Sequence, residues 1–324
     1  MSTSAARYHV IHETRYDYAS NVSISRQLLH LAPRDLATGC PWQTCEEHKI
    51  SIEPEPTLKF ERLDPFGNPV TQIAIEAPHR SLVVRAESLI EVRSRPVDEA
   101  ASPPWELMRE SVSYGMLPVR LDAKCYLFES PYVRVKHEFA AYAKPSFTPE
   151  RPLLEAVHDL MTRIHTEFEY DAEATTVATP VMDVLSDKRG VCQDFAHVML
   201  ACLRSIGLAA RYVSGYLLTH PPEGQPRMIG ADASHAWVSV YCPADDEDAV
   251  SGIWVDFDPT NDVLPDTQHI TLAWGRDFGD VSPLRGVILG GGAHELDVAV
   301  TVTPCEDGEP FSGSAVSQAA DRGD

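Results

Sequence analysis

The chain has 324 residues, 44% of them apolar, and its 48 acidic against 27 basic side chains give a formal charge of −21. That balance makes nucleic acid and anionic lipid poor partners. No apolar run approaches the ~20 residues that cross a bilayer, and the first residues lack the apolar core of a signal peptide. Seven cysteines, scattered without framework spacing, fit a reduced, cytoplasmic protein better than a disulfide-stapled one.

Residues 1–98 read as a β-rich lobe. Tyr8, Val10, His12, Thr14, Tyr16 and Tyr18 alternate with mostly polar neighbours, the period of a strand. Further strand-like runs lie at 48–52, 58–63, 70–75 and 82–92, with Asp64-Pro65-Phe66-Gly67-Asn68-Pro69 as a hairpin loop between two of them. An antiparallel, sandwich-like lobe is expected. Cys40, Cys45 and His48 lack a fourth ligand and have the wrong spacing for a zinc ribbon, so no metal site is assigned there.

Residues 99–148 read as a linker with short helices around 105–110 and 132–143. The catalytic core is placed at 149–303, including a strand at 295–302, and a polar tail at 304–324 reads as disordered. Thr148-Pro149-Glu150 has the pattern of a helix start, followed by Leu153, Val157, Leu160, Met161, Ile164 and Phe168 at helical spacing. A short helix is expected over 180–185. Strands are expected at 209–218, 235–241 and 253–257, with the acidic run at 245–248 read as a solvated loop.

The stretch from Ser186 to Ile206 carries the chemistry. A polar loop reaches Gly190, which lets the backbone turn, and an apolar helical stripe of Phe195, Val198, Met199, Cys202, Leu203 and Ile206 follows Cys192. Cys192 thus falls in the first turn of a buried helix, where free N–H groups and the helix dipole favour a thiolate and can hold an oxyanion. Cys202 reads as core, Asp194 as a residue favoured by the dipole, and His197 as a surface or lobe-contact residue.

A thiol nucleophile needs a base, and the base needs an orienting group. His235 opens one strand and Asp258 closes the next, just before Pro259, where the strand must stop. If the two strands form an antiparallel hairpin, His235 and Asp258 meet at one rim. Asp256 points to the same face as Asp258, so alternation does not choose between them; Asp258, at the mouth of the strand, is better placed. Trp237 and Trp254 read as packing around this group.

GVCQDFAHVMLACLRSIGLAARYVSGYL, followed by SHAWVSVY and WVDFDPTN, resembles the core of the transglutaminase-like superfamily, itself papain-like. HETRYDY and LLHLAPRD are similar to the N-terminal β-region that accompanies this core in bacterial proteins, and GRDFGDVSPLRGVILGGGAHELDVAV to its C-terminal extension. The resemblance implies an α+β fold: an antiparallel β-sandwich-like N-terminal lobe, then a papain-like core whose cysteine helix packs on an antiparallel sheet. It gives the triad roles to Cys192, His235 and Asp258. Eukaryotic transglutaminases add a tryptophan upstream of the cysteine as an oxyanion donor, and no Trp lies between Trp105 and Cys192 here; Tyr170 and Gln193 are the candidates in its place. No calcium site of the animal enzymes is visible, so neither metal nor cofactor is expected. The implied activity is a cysteine peptidase or amidase acting on a protein or peptide, with transamidation as the alternative and a non-catalytic scaffold as the second. The oligomeric state is left open.

Overall fold

Alternating apolar and polar residues carry one strand, β1, through Ala5–Leu29. It is followed by β2 (Gln43–Glu53), β3 (Leu58–Leu63), β4 (Pro69–Ile75) and β5 (His79–Arg93). The computed structural model describes residues 4–114, 122–219, 233–242 and 252–305. The acidic run at 245–248 and the tail from Glu306 lie outside the described residues. The five strands are ordered β2-β5-β1-β4-β3, each pair antiparallel. The β3–β4 turn forms as its composition dictates: Asp64 Oδ1 accepts from the amides of Phe66 and Asn68, and Gly67 takes a φ of 75°.

Among the helices that follow are α1 (Trp105–Tyr114), α2 (His137–Ala143), α3 (Leu153–Glu167), α4 (Val181–Asp187) and α5 (Cys192–Ser205). Between them a short parallel pair, β6 (Glu169–Tyr170) and β7 (Arg189–Gly190), ties the end of α3 to the start of α5. Next, β8 (Ala210–Leu217), β9 (Ala233–Cys242), β10 (Ile253–Phe257) and β11 (His269–Gly275) form a second antiparallel sheet, ordered β10-β9-β8-β11. After a single turn of helix, α6 (Phe278–Val281), strands β12 (Leu284–Gly290) and β13 (His294–Cys305) return to the first sheet and pair with the two halves of β1. The fold class is α+β, and the C-terminal strand at 295–302 completes the N-terminal sheet rather than the core's.

Helix α3 starts at Leu153, after Pro152, and not at Thr148. Glu150 has a φ of 61°, and the Thr148 carbonyl accepts from the Arg151 amide and from Trp105 Nε1, so 148–151 form a turn. The apolar stripe of α5 is buried as its spacing predicts, with Phe195, Val198, Met199, Cys202 and Leu203 all inaccessible. Each such side chain contributes roughly 1.5–3 kcal/mol of transfer free energy. They share one core with α3, with β8 and β9, and with Tyr8, Val10, Ile90, Val92, Val300 and Val302 of the first sheet. The other end of that sheet bends around a separate small core of Tyr18, Val22, Leu29, Ile73, Ile75 and Leu82.

Polar groups lock the two sheets together along β11, an edge strand. Gln43 Oε1 accepts from the Thr271 amide at 2.8 Å, and its Nε2 donates to the Thr271 carbonyl at 2.8 Å. Asn68 does the same for Trp274, accepting at 3.0 Å and donating at 2.8 Å. Two side-chain amides, with the Arg34 amide donating to the Thr271 carbonyl at 3.3 Å, thus stand in for a neighbouring strand on this edge. Arg34 and Arg211 lie 3.5 and 3.6 Å from the Trp274 ring, so cation–π contact replaces hydration for two buried guanidiniums.

Replacing Gln43 by Ala removes the partner of the Thr271 amide and of the Arg34 carbonyl, and should lower the unfolding free energy by about 1–3 kcal/mol. The exposed Gln72→Ala should stay within about 0.5 kcal/mol of the parent in the same urea titration.

Buried imidazoles set the acid limit. Burial lowers His12 and His48 to about 4 and His197 to about 3, from an ordinary value of 6.5. The unfolded chain therefore binds more protons below 6.5, and the contribution of these groups, complete above 6.5, is lost as pH falls toward 4. Denaturation midpoints measured across that interval should decline with acid.

Candidate active site

Cys192 is the first residue of α5 and half-buried. Its loop is held from below by Asp194, whose Oδ2 accepts from the Val191 amide at 2.9 Å and from Thr175 Oγ1 at 2.6 Å. This is the reaching-back half of a capping box, so Asp194 does more than answer the helix dipole. Gly190 is needed for space and not for a turn. Its φ is not positive, but a Cβ there would stand 2.5 Å from Asp194 Oδ2. The first-turn amides of Cys192 and Gln193 have no acceptor within the helix, as helix geometry requires.

His235 sits in β9 at 7% exposure and Asp258 just beyond β10 at 0%. The antiparallel register sets Phe257 opposite Val238, which brings the end of β10 beside the start of β9. His235 Nε2–H donates to Asp258 Oδ2 at 2.7 Å, and Cys192 lies close enough to the same imidazole to help raise its pKa, with Nδ1 as the ring nitrogen that Asp258 leaves open. The three residues that sequence reasoning singled out therefore meet. Asp256 is on the same face but serves elsewhere: its Oδ2 accepts from Arg95 Nη1 and Trp237 Nε1, each at 2.9 Å.

The Asp258 carboxylate is saturated with donors. Oδ2 accepts from His235 Nε2, from Asn261 Nδ2 at 2.7 Å and from His269 Nε2 at 3.1 Å, while Oδ1 accepts from the amides of Thr260 and Asn261. Against the penalty of burial, the hydrogen bonds from His235 and His269 and their nearby rings hold Asp258 far below the usual carboxylate range. Burial alone would lower His235, but its bond to Asp258 and the nearby Cys192 overcome that and raise it to about 10. The site is thus arranged to keep a protonated imidazole beside the sulfur. His235, Asp258 and His269 are the group of metal-ligating types that converges among the described residues. Their ligand atoms are joined by N–H···O hydrogen bonds, and Asn261 donates to the same oxygen, so a cation would have to displace several protons. No described helix is long and apolar enough to cross a membrane.

Tyr170 is brought to the site by the β6–β7 pair, which sets it opposite Gly190. Partial burial, and secondarily the nearby Cys192, raise the pKa of its phenol, and the side chain is 58% exposed. Gln193 forms the second residue of the helix, and its side chain makes no hydrogen bond among the described residues. His197 is buried, not on the surface: its ring stacks on Tyr132 at 5.6 Å and Nε2 accepts from the Phe278 amide. Trp237 packs by His235, whereas Trp254 meets Tyr126 and Tyr241 edge-on and lies under Arg211, in a separate cluster. Cys45 Sγ donates to the Glu47 carbonyl and His48 bonds Ser88, without convergence on a metal. Sequence reasoning missed His269 and Asn261. Asn261 follows the Asp-Pro turn and could have been read as its Asx partner; His269 opens a strand that had not been recognised.

A cysteine at a helix start facing a histidine–aspartate pair on an antiparallel sheet is the arrangement of a transglutaminase-like, papain-like fold. The bacterial transglutaminase-like N-terminal region matches residues 8–91, and the transglutaminase-like superfamily core matches 140–259. An uncharacterised protein of Mycobacterium tuberculosis is 40% identical over 93% of both chains. A protein-glutamine gamma-glutamyltransferase of Pseudomonas aeruginosa is 33% identical over 37% of this chain and 19% of its own. Among solved structures, a candidate cysteine protease from Cytophaga hutchinsonii superposes with a TM-score of 0.73 over 95% of this chain and 93% of its own, at 17% identity. The chain belongs to the transglutaminase-like superfamily.

Asp258→Asn removes the anion that keeps His235 charged. Alkylation of Cys192 by iodoacetamide at neutral pH, read site by site by mass spectrometry, should slow by roughly tenfold or more, since each pK unit of lost support is a factor of ten.

Proposed function

We propose that the protein is a thiol enzyme that cleaves amide bonds in a peptide or protein through a thioester on Cys192. The observation that carries this reading is Cys192 lying close enough to His235 to raise its pKa, while His235 donates to a fully buried Asp258. The Cys192 thiolate adds to the carbonyl carbon, and the oxygen takes the negative charge. The Cys192 amide holds that oxyanion, with Gln193 or the Tyr170 phenol as second donor. His235 gives its Nδ1 proton to the departing amine as the C–N bond breaks, leaving the thioester. Water, deprotonated by the now neutral His235, attacks the thioester; the acid is released and the thiolate–imidazolium pair returns. Asp258 holds the Nε2–H tautomer throughout and does not take the proton.

Transamidation is the second reading, in which an amine replaces water; the similarity to the Pseudomonas aeruginosa gamma-glutamyltransferase over the core favours it. The compartment we propose is the reducing cytoplasm, a reading supported by seven cysteines scattered along the sequence without the spacing of a disulfide framework.

A glutamine-containing peptide incubated with a labelled amine separates the readings. Ammonia release or chain cleavage without label identifies a hydrolase, and label incorporation a transferase. Cys192→Ala should abolish both products and the covalent intermediate seen by intact mass; full activity in that variant would remove the assignment.

A further inference from the structure

The four-stranded sheet delivers a second histidine to Asp258 from its opposite edge. β10 supplies the carboxylate on one side of β9, and His269 comes from β11, beyond β8, on the other. Gly215 of β8 pairs with both His235 and Thr271, and has no side chain to fill the space between. A Cβ there would meet the Ile270 carbonyl and Trp237. The Trp237 ring occupies that space as a floor, edge-on to His269 at 5.3 Å and 6.1 Å from His235. Over it, the His269 and His235 rings lie 6.0 Å apart with Asp258 Oδ2 bonded to both.

The chemistry of the bond fixes the state of His269. Asp258 is ionised, so the 3.1 Å contact requires His269 to donate from Nε2. Its Nδ1 is buried without a partner among the described residues, as fits a neutral ring with a bare lone pair there. The charged groups facing His269 are Asp258, His235 and Arg95; the two cations, with burial, keep the ring neutral against the pull of the carboxylate. His269 is thus a donor that never competes with His235 for the charge.

We infer that His269 is a positioning residue: by clamping Oδ2 of Asp258 from the far side, it fixes the carboxylate that orients His235. The inference rests on the thiol-enzyme reading of the triad. Without His269, Asp258 loses one of three donors on the oxygen that meets His235 and gains freedom to rotate about its last torsion. The deficit passes to the tautomer and charge of His235, and from there to the thiolate.

The test compares His269→Asn with His269→Gln. A glutamine amide nitrogen reaches the place of imidazole Nε2, whereas an asparagine falls short. The readout is the pH profile of iodoacetamide alkylation at Cys192, alongside the thermal midpoint. His269→Asn should slow alkylation at neutral pH by roughly tenfold and narrow the reactive pH range, as loss of an orienting partner does elsewhere, with His269→Gln recovering most of the parental rate. An unchanged profile in His269→Asn, or equal losses in both variants, overturns the inference. If the parent's Cys192 reacts no faster than a free thiol, and Asp258→Asn has no effect, the triad reading itself fails.

Discussion

A carboxylate with no solvent exposure is the constraint around which this molecule is built. Ionised Asp258 would be costly to bury alone. It is retained because two imidazoles, a side-chain amide and two backbone amides all donate to it. That satisfied anion is what raises His235 and, through it, supplies Cys192 with a cationic neighbour. The donors come from β9, from β11 and from the Asp-Pro-Thr-Asn turn, so the charge is stable only when the sheet is complete.

This dependence gives the N-terminal sheet a physical role. Gln43 and Asn68 cover the edge of β11, Arg34 stacks on Trp274 of the same strand, and Arg95 neutralises Asp256 beneath the site. His12 of β1 reaches Tyr216 of β8 at 2.9 Å. The first sheet therefore fixes the strand that carries His269 and, by that route, the carboxylate. On the side of Cys192, Asp194 and Thr175 fix the start of α5, where a bare Gly190 leaves them room. Cys192 and His235 are positioned by separate supports and meet without sharing one.

Much of this was legible in the sequence where residue chemistry and periodicity agree. The stripe of α5 and the order of Cys192, His235 and Asp258 needed only spacing and strand pairing. The alternation of β1 was visible to Tyr18, but the strand continues to Leu29 through a register shift near Val22, where polar residues blur the pattern. β11 escaped although His269-Ile270-Thr271-Leu272 alternate polar and apolar: all seven of its residues are buried, so its polar face meets other protein groups and not water. Missing that strand hid His269 as well. The choice between Asp256 and Asp258 could not be made from alternation, since both point to one face; the partners Arg95 and Trp237 decide it. Of the two readings of His197, surface or lobe contact, the surface one fails: a polar residue off the apolar stripe reads as exposed, whereas Tyr132 and Phe278, distant in sequence, cover it.

The account turns on a charged imidazole beside the sulfur at neutral pH. Nitrogen NMR of the His235 ring, assigned by comparison with a His235 variant and followed through a pH titration, reads that charge directly. Both ring nitrogens should carry protons at neutral pH, with titration only as the pH nears about 10. A neutral His235 at neutral pH, titrating near the ordinary histidine value, would contradict it.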